Sequence, residues 1–141
     1  MQDPYLDNTF ATNRLKDEYK KYGRLVVATD FDDTLFDFHR KGHTYEVVLS
    51  LLKRCQALGF FVVVFTGSEP EKYPEIREYC KNIGLDIDKI NENAFPMPIG
   101  NNGKIYFNVL LDDRAGLPSA FQSLLEVVEF AEMCNSQNVL T

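Results

Sequence analysis

Two carboxylates two residues apart, where an apolar run ends, are the groups in this chain best suited to chemistry. They are Asp30 and Asp32, in Val26-Val27-Ala28-Thr29-Asp30-Phe31-Asp32-Asp33-Thr34-Leu35. If Leu25 to Ala28 form a buried parallel strand, both acids emerge at its carboxyl end, where open α/β sheets bind ligands. One can attack an electrophile while the other shuttles a proton. A second apolar run, Phe61 to Phe65, ends in Thr66-Gly67-Ser68, which offers a hydroxyl and free backbone N–H groups. Lys104 precedes a third run, Val109-Leu110-Leu111, which ends in another acid pair, Asp112-Asp113. Acids, a hydroxyl and an ammonium, each at a strand end, suit phosphate and Mg²⁺. Four carboxylates brought close together would repel one another unless a cation joined them, which is the electrostatic case for Mg²⁺.

Every fragment also has a plainer reading. Asp30 to Asp33 could cap a helix or form a turn, Thr66-Gly67 could end a strand, Lys104 could be a solvated surface lysine, and Asp112-Asp113 could cap the next helix. An EF-hand is excluded, because its sixth position would be Leu35 instead of Gly and its twelfth Lys41 instead of Glu. The coincidence of all the fragments at strand ends, in one order, favours a single site.

In that order the sequence resembles the haloacid dehalogenase-like (HAD) phosphohydrolase superfamily over most of its length, from about Leu25 to the last helix. Asp30-x-Asp32-x-Thr34 looks like the first motif of that family, Thr66 the second, Lys104 the third and Asp112-Asp113 the fourth. The resemblance implies that Asp30 attacks phosphorus and that Asp32 is the acid and base. Thr66 and the Gly67 N–H would bind a phosphoryl oxygen, and Lys104 would hold the developing charge and orient Asp30. It places Mg²⁺ on Asp30, the Asp32 carbonyl and one or both of Asp112 and Asp113. An acid at Asp32 and a threonine at Thr34 fit the phosphatase branch better than the dehalogenase branch. Lys72 is the alternative third-motif lysine, but Lys104 stands just ahead of the strand leading to the acid pair.

The elements that must hold these groups alternate. A helix is expected over about Asn13 to Tyr22, a strand over Arg24 to Thr29, and then a polar and aromatic segment, Phe36 to Gly42, where the family carries a flap. Val47, Val48, Leu51, Leu52, Cys55 and Leu58 repeat at helical spacing from Thr44 onward and stop at Gly59. A strand over Phe60 to Phe65 follows, then a helix from Glu69 to Ile83 whose start Pro70 and Pro74 blur, and a weak strand from Asp86 to Ile90. Asn91 to Gly103 reads as a loop. A strand over Ile105 to Leu111 and a helix over Leu117 to Met133 complete the chain.

This alternation predicts an α/β fold, a three-layer Rossmann-like parallel sheet with no separate cap domain. Residues 1–23 form a helical arm and 24–141 the core. The space between the motifs holds no lid, so the mouth should be open. That suits a bulky or polymeric phosphorylated substrate, or a lid lent by a second copy in a homodimer.

With 141 residues the chain can bury a core without disulfides, and Cys55, Cys80 and Cys134 show no metal-ligand spacing. A reduced, cytoplasmic setting is expected, with neither a signal peptide nor an apolar run able to span a bilayer. The net charge of −6 disfavours general capture of nucleic acid without forbidding a local basic mouth. His39 and His43 read as exposed flap residues with no evident acidic partner, and Arg114 as one half of a salt bridge.

Three other functions compete with phosphate hydrolysis. A phosphotransferase would use the same residues with an acceptor hydroxyl in place of water. A receiver domain also combines acids, a hydroxyl and a lysine. Its order is acid pair, phosphoacceptor, hydroxyl, lysine, whereas here it is Asp30, Thr66, Lys104, Asp112-Asp113. A phosphate- or protein-binding module that has lost turnover would not need Asp30, Asp32, Lys104 and Asp112 together.

Overall fold

The strands expected over Arg24 to Thr29 and Phe60 to Phe65 form at Val26–Asp30 (β1) and Phe61–Phe65 (β2), the centre of a four-stranded, all-parallel sheet. In this computed structural model, which describes residues 3–97 and 103–139, the strand order is β3-β2-β1-β4, with β3 at Lys89–Ile90 and β4 at Val109–Leu111. Val26, Val27 and Ala28, like Val62, Val63 and Val64, are all buried, although successive side chains on a strand point to opposite faces. Both faces of the sheet are therefore covered, as parallel sheets require. The helices that flank it are α1 (Asn8–Tyr22), α2 (Glu46–Ala57), α3 (Tyr73–Asn82) and α4 (Leu117–Val139). The arrangement is α/β and Rossmann-like, and no separate cap domain stands among the described residues.

The helices present apolar stripes to this sheet. Leu51, Leu52 and Cys55 of α2, Ile76 and Cys80 of α3, and Leu124, Val127, Val128 and Ala131 of α4 join one core cluster. Leu15 of α1 belongs to the same cluster, and Tyr19 meets Phe60 and Phe130 edge-on or tilted at centroid distances of 5.8 and 6.2 Å. None of the described helices is long and apolar enough to cross a membrane.

Element ends depart from the sequence expectation for local reasons. α1 begins at Asn8, earlier than expected, because the Asp7 carboxylate accepts the Thr9 N–H at 2.9 Å and caps it. The single helix expected from Glu69 starts instead as a 3₁₀ turn at Pro70–Lys72, and α3 follows with Pro74 in its first turn, where a missing N–H costs nothing. β3 is shorter than expected because Asp88 uses its side chain on the ladder, accepting the Val62 N–H at 2.8 Å. β4 begins late for the same reason: Asn108 Oδ1 accepts the Val26 N–H at 2.7 Å, and the Tyr106 N–H turns away to Asn93 Oδ1. Of the loop expected from Asn91 to Gly103, residues 98–102 lie outside the described residues.

Gly59 ends the α2 segment with φ of +82°, and a Cβ there would meet only Arg24 Nε, at 3.8 Å. The cost of Gly59→Ala is then conformational, about 1 kcal/mol, and urea unfolding should lose that much with an unchanged slope.

Candidate functional site

The strand order reverses beside β1. β2 and β3 lie on one side of it and β4 on the other, so a crevice opens between the carboxyl ends of β1 and β4. Asp30 is the last residue of β1, and Asp112 and Asp113 follow β4 directly. The fold thus brings together acids far apart in the chain. One carboxylate oxygen from each of Asp30, Asp112 and Asp113 lies within 4.8 Å of the others. Three hard oxygen donors at this spacing fit a divalent cation such as Mg²⁺. The Asp32 carboxylate is not one of the three, although its backbone carbonyl remains available.

Thr34 ties the two acid segments. Its fully buried hydroxyl lies 3.5 Å from Asp30 Oδ2 and 3.4 Å from Asp113 Oδ1, and accepts the Asp113 N–H at 3.3 Å. With one proton it can donate to only one carboxylate at a time. The turn that buries it is anchored by stacked Phe31 and Phe36 rings, 5.4 Å apart, each of which meets Tyr79 of α3 edge-on.

The electrostatics follow from this crowding. Burial, then the hydrogen bond with Asp113 and the charge of Asp112, push Asp30 up to about 7. Asp32 is also raised, first by burial and then by the charge of Asp33, with His39 partly offsetting both. A nearby cation would favour the anionic form of Asp30, whereas a raised Asp32 is suited to carrying a proton.

A second part of the site lies across β2. A cleft of about 490 Å³ is lined by Asp30, Thr66, Gly67, Asn91, Gly103 and Asp112, among others. Lys104 itself is exposed between the lining residues Gly103 and Ile105, and forms no salt bridge among the described residues. The Thr66 hydroxyl accepts the Ser68 N–H at 3.1 Å, which shapes the turn, and Gly67 is exposed.

Asn91 was legible only as a loop residue, yet it sets this turn. Its side chain accepts the Thr66 N–H at 2.9 Å and donates to the Thr66 carbonyl at 2.7 Å and to the Tyr73 hydroxyl at 2.8 Å. The amide extends the β2–β3 ladder by one side chain. Its backbone has φ of +54°, a region that asparagine tolerates well among non-glycine residues. Asn91→Ala leaves both Thr66 backbone groups without this partner and should cost about 1–3 kcal/mol in urea unfolding. Asn91→Asp keeps the acceptor but sets a carboxylate oxygen against the Thr66 carbonyl, and should cost at least as much as Asn91→Ala.

Two expectations are corrected. His39 has an acidic partner, because its Nδ1 lies 2.7 Å from Asp33 Oδ2, a pairing that the turn at Asp33 creates. Arg114 makes no salt bridge among the described residues. Its backbone N–H instead donates to Asp112 Oδ1 at 2.9 Å, which holds that carboxylate over the turn.

No protein-family model matches the sequence, and neither does any curated protein. Among solved structures the chain is similar to a conserved protein coded by a locus of Bacteroides thetaiotaomicron. The two share 25% identity with a TM-score of 0.55, over 64% of this chain and 77% of the other. The likeness supports a common α/β parallel-sheet fold, and that description names no activity.

Proposed function

We propose that this chain is a Mg²⁺-dependent phosphatase of the HAD-like type, hydrolysing phosphate monoesters through an aspartyl-phosphate. The observation that carries the reading is the convergence of Asp30, Asp112 and Asp113 at the crevice between β1 and β4, beside the Thr66-Gly67 turn. Asp30, Asp112 and Asp113, with the Asp32 carbonyl, would hold the metal, which when bound neutralises phosphoryl charge and favours ionised Asp30.

An Asp30 oxygen attacks phosphorus as the ester P–O bond breaks, and Asp32 gives its proton to the departing alkoxide. Asp32, now a carboxylate, takes a proton from water. That water attacks the phosphorus of the acyl phosphate, the bond to Asp30 breaks, and inorganic phosphate leaves. Thr66 and the Gly67 N–H hold a non-bridging oxygen through both steps, and Lys104 is the cation assigned to the developing charge. A phosphotransferase would differ only in the acceptor of the second step.

The test is hydrolysis of phenyl phosphate in Mg²⁺ and in EDTA. Turnover that requires the metal supports the reading. If turnover is absent in Mg²⁺ and the metal does not raise thermal stability, the chain is a binding module on this fold.

A further inference from the structure

Asn91 lines the same cleft as Asp30 and Thr66, yet it has no donor left to offer a ligand. The Thr66 N–H can only donate, so the Asn91 oxygen must face it, and this fixes which way the amide points. Both Nδ2 protons are then engaged, one by the Thr66 carbonyl and one by the Tyr73 hydroxyl. The Asn91 backbone N–H is committed as well, to the Val64 carbonyl at 2.8 Å. A side chain so occupied could donate to a phosphoryl oxygen only by releasing the turn it holds.

The turn has the opposite property. The Thr66 hydroxyl accepts from Ser68, and among the described residues neither its own proton nor the Gly67 N–H has an acceptor. These are the two donors assigned to a phosphoryl oxygen. Donors held in place before the anion arrives bind it more tightly than donors that must be ordered on binding. The Thr66 carbonyl and the Gly67 N–H belong to one planar trans peptide, so they point in opposite directions. By gripping that carbonyl, Asn91 aims the Gly67 N–H away from itself.

The third bond of the amide reaches α3. Tyr73 is the first residue of that helix, and six residues further on Tyr79 donates to the Leu35 carbonyl at 3.3 Å and meets Phe31 and Phe36 edge-on. Phe31, Leu35 and Phe36 belong to the turn that follows Asp30. One helix thus touches the phosphoryl-binding turn at its start, through Asn91, and the acid turn further along.

We infer that Asn91 and Tyr73 are positioning residues: their hydrogen bond ties the Thr66-Gly67 turn to α3 and so sets its two donors in register with the acid turn to receive a phosphoryl group. The inference rests on the phosphatase reading and adds the residues that pre-organise its anion-binding turn.

The test measures kcat and KM for phenyl phosphate, and the Kd of inorganic phosphate by calorimetry in Mg²⁺. The turn holds its oxygen equally before and during reaction, so Asn91→Ala should raise KM and the phosphate Kd together, each about tenfold, with kcat within about threefold of wild type. Tyr73→Phe keeps the ring, removes the acceptor and should raise both constants about threefold. Gly59→Ala, at the other end of β2, loses stability without touching the turn and should leave both constants unchanged. Wild-type constants in either Asn91→Ala or Tyr73→Phe, or a fall in kcat alone, overturn the inference and leave the phosphatase reading standing. If Asn91→Ala does not fold, Tyr73→Phe decides. If wild type turns over no ester, the phosphatase reading falls and the phosphate Kd of the variants decides the positioning role. No turnover and no phosphate binding overturns both.

Discussion

Asp30→Asn should abolish Mg²⁺-dependent hydrolysis of phenyl phosphate, lowering kcat by at least roughly a thousandfold, while the protein remains folded. The substitution keeps the shape of the side chain and removes its nucleophilic oxygen and one of three candidate metal ligands. Ordinary damage to an active site comes with lost stability. Here the opposite is expected, because Asp30 sits half-buried against Asp112 and Asp113. An amide ends the repulsion, so metal-free Asp30→Asn should melt above wild type near pH 8. Asp32→Asn should reduce turnover less with phenyl phosphate, whose good leaving group needs little protonation, than with an alkyl phosphate. Retention of activity within tenfold of wild type in Asp30→Asn would remove the aspartyl-phosphate from the mechanism.

The same crowding makes stability depend on pH and metal together. Burial and the neighbouring Asp113 and Asp112 push the Asp30 carboxyl up to about 7 in the folded protein, from an ordinary value of 3.8. A folded-state pKa above the unfolded one means that the native protein binds the proton more tightly. The stabilisation is fully present below about pH 4 and is lost as the pH rises toward 7. Asp32 is raised as well and acts in the same direction. Because Asp30 is partly open to solvent, the effect is smaller than its full shift implies. In EDTA the melting temperature should therefore fall between pH 5 and pH 8 more steeply for wild type than for Asp30→Asn. Saturating Mg²⁺ should raise the wild-type value more at pH 8 than at pH 5, since the cation competes with the proton. Equal slopes for the two proteins, or an equal Mg²⁺ effect at both pH values, would show that the three carboxylates do not act as one cluster.

Much of the architecture was legible because local rules fix it. The runs Val26 to Ala28 and Val62 to Val64 could only be covered strands, and the stripe from Leu51 to Cys55 needed a helix closed near Gly59. Boundaries slipped where a side chain replaced a ladder bond, as at Asp88 and Asn108, or where the cap was an overlooked acid, as at Asp7. The candidate acids were legible by type and position. The resemblance put Asp30 with Asp112 and Asp113 at one site, but their distances were not legible, because Asp30 ends one strand and Asp113 follows another that pairs with it only in the folded sheet. His39 was misjudged because its partner lies six positions back across a turn with a left-handed residue, where helical spacing says nothing.

By itself the sequence determined which segments are strands and helices, and that carboxylates stand at strand ends, since β-branching, periodicity and turn residues act between near neighbours. Tertiary structure decided the rest. It set the distances among the acids, buried the Thr34 hydroxyl against Asp30 and against Asp113, 79 residues further on, and used Asn91 to hold Thr66 across 25 residues. It also tied Asn91 to Tyr73 at the start of α3. Those contacts exist only after strand order and register are set, and both are set by burying the two faces of the sheet.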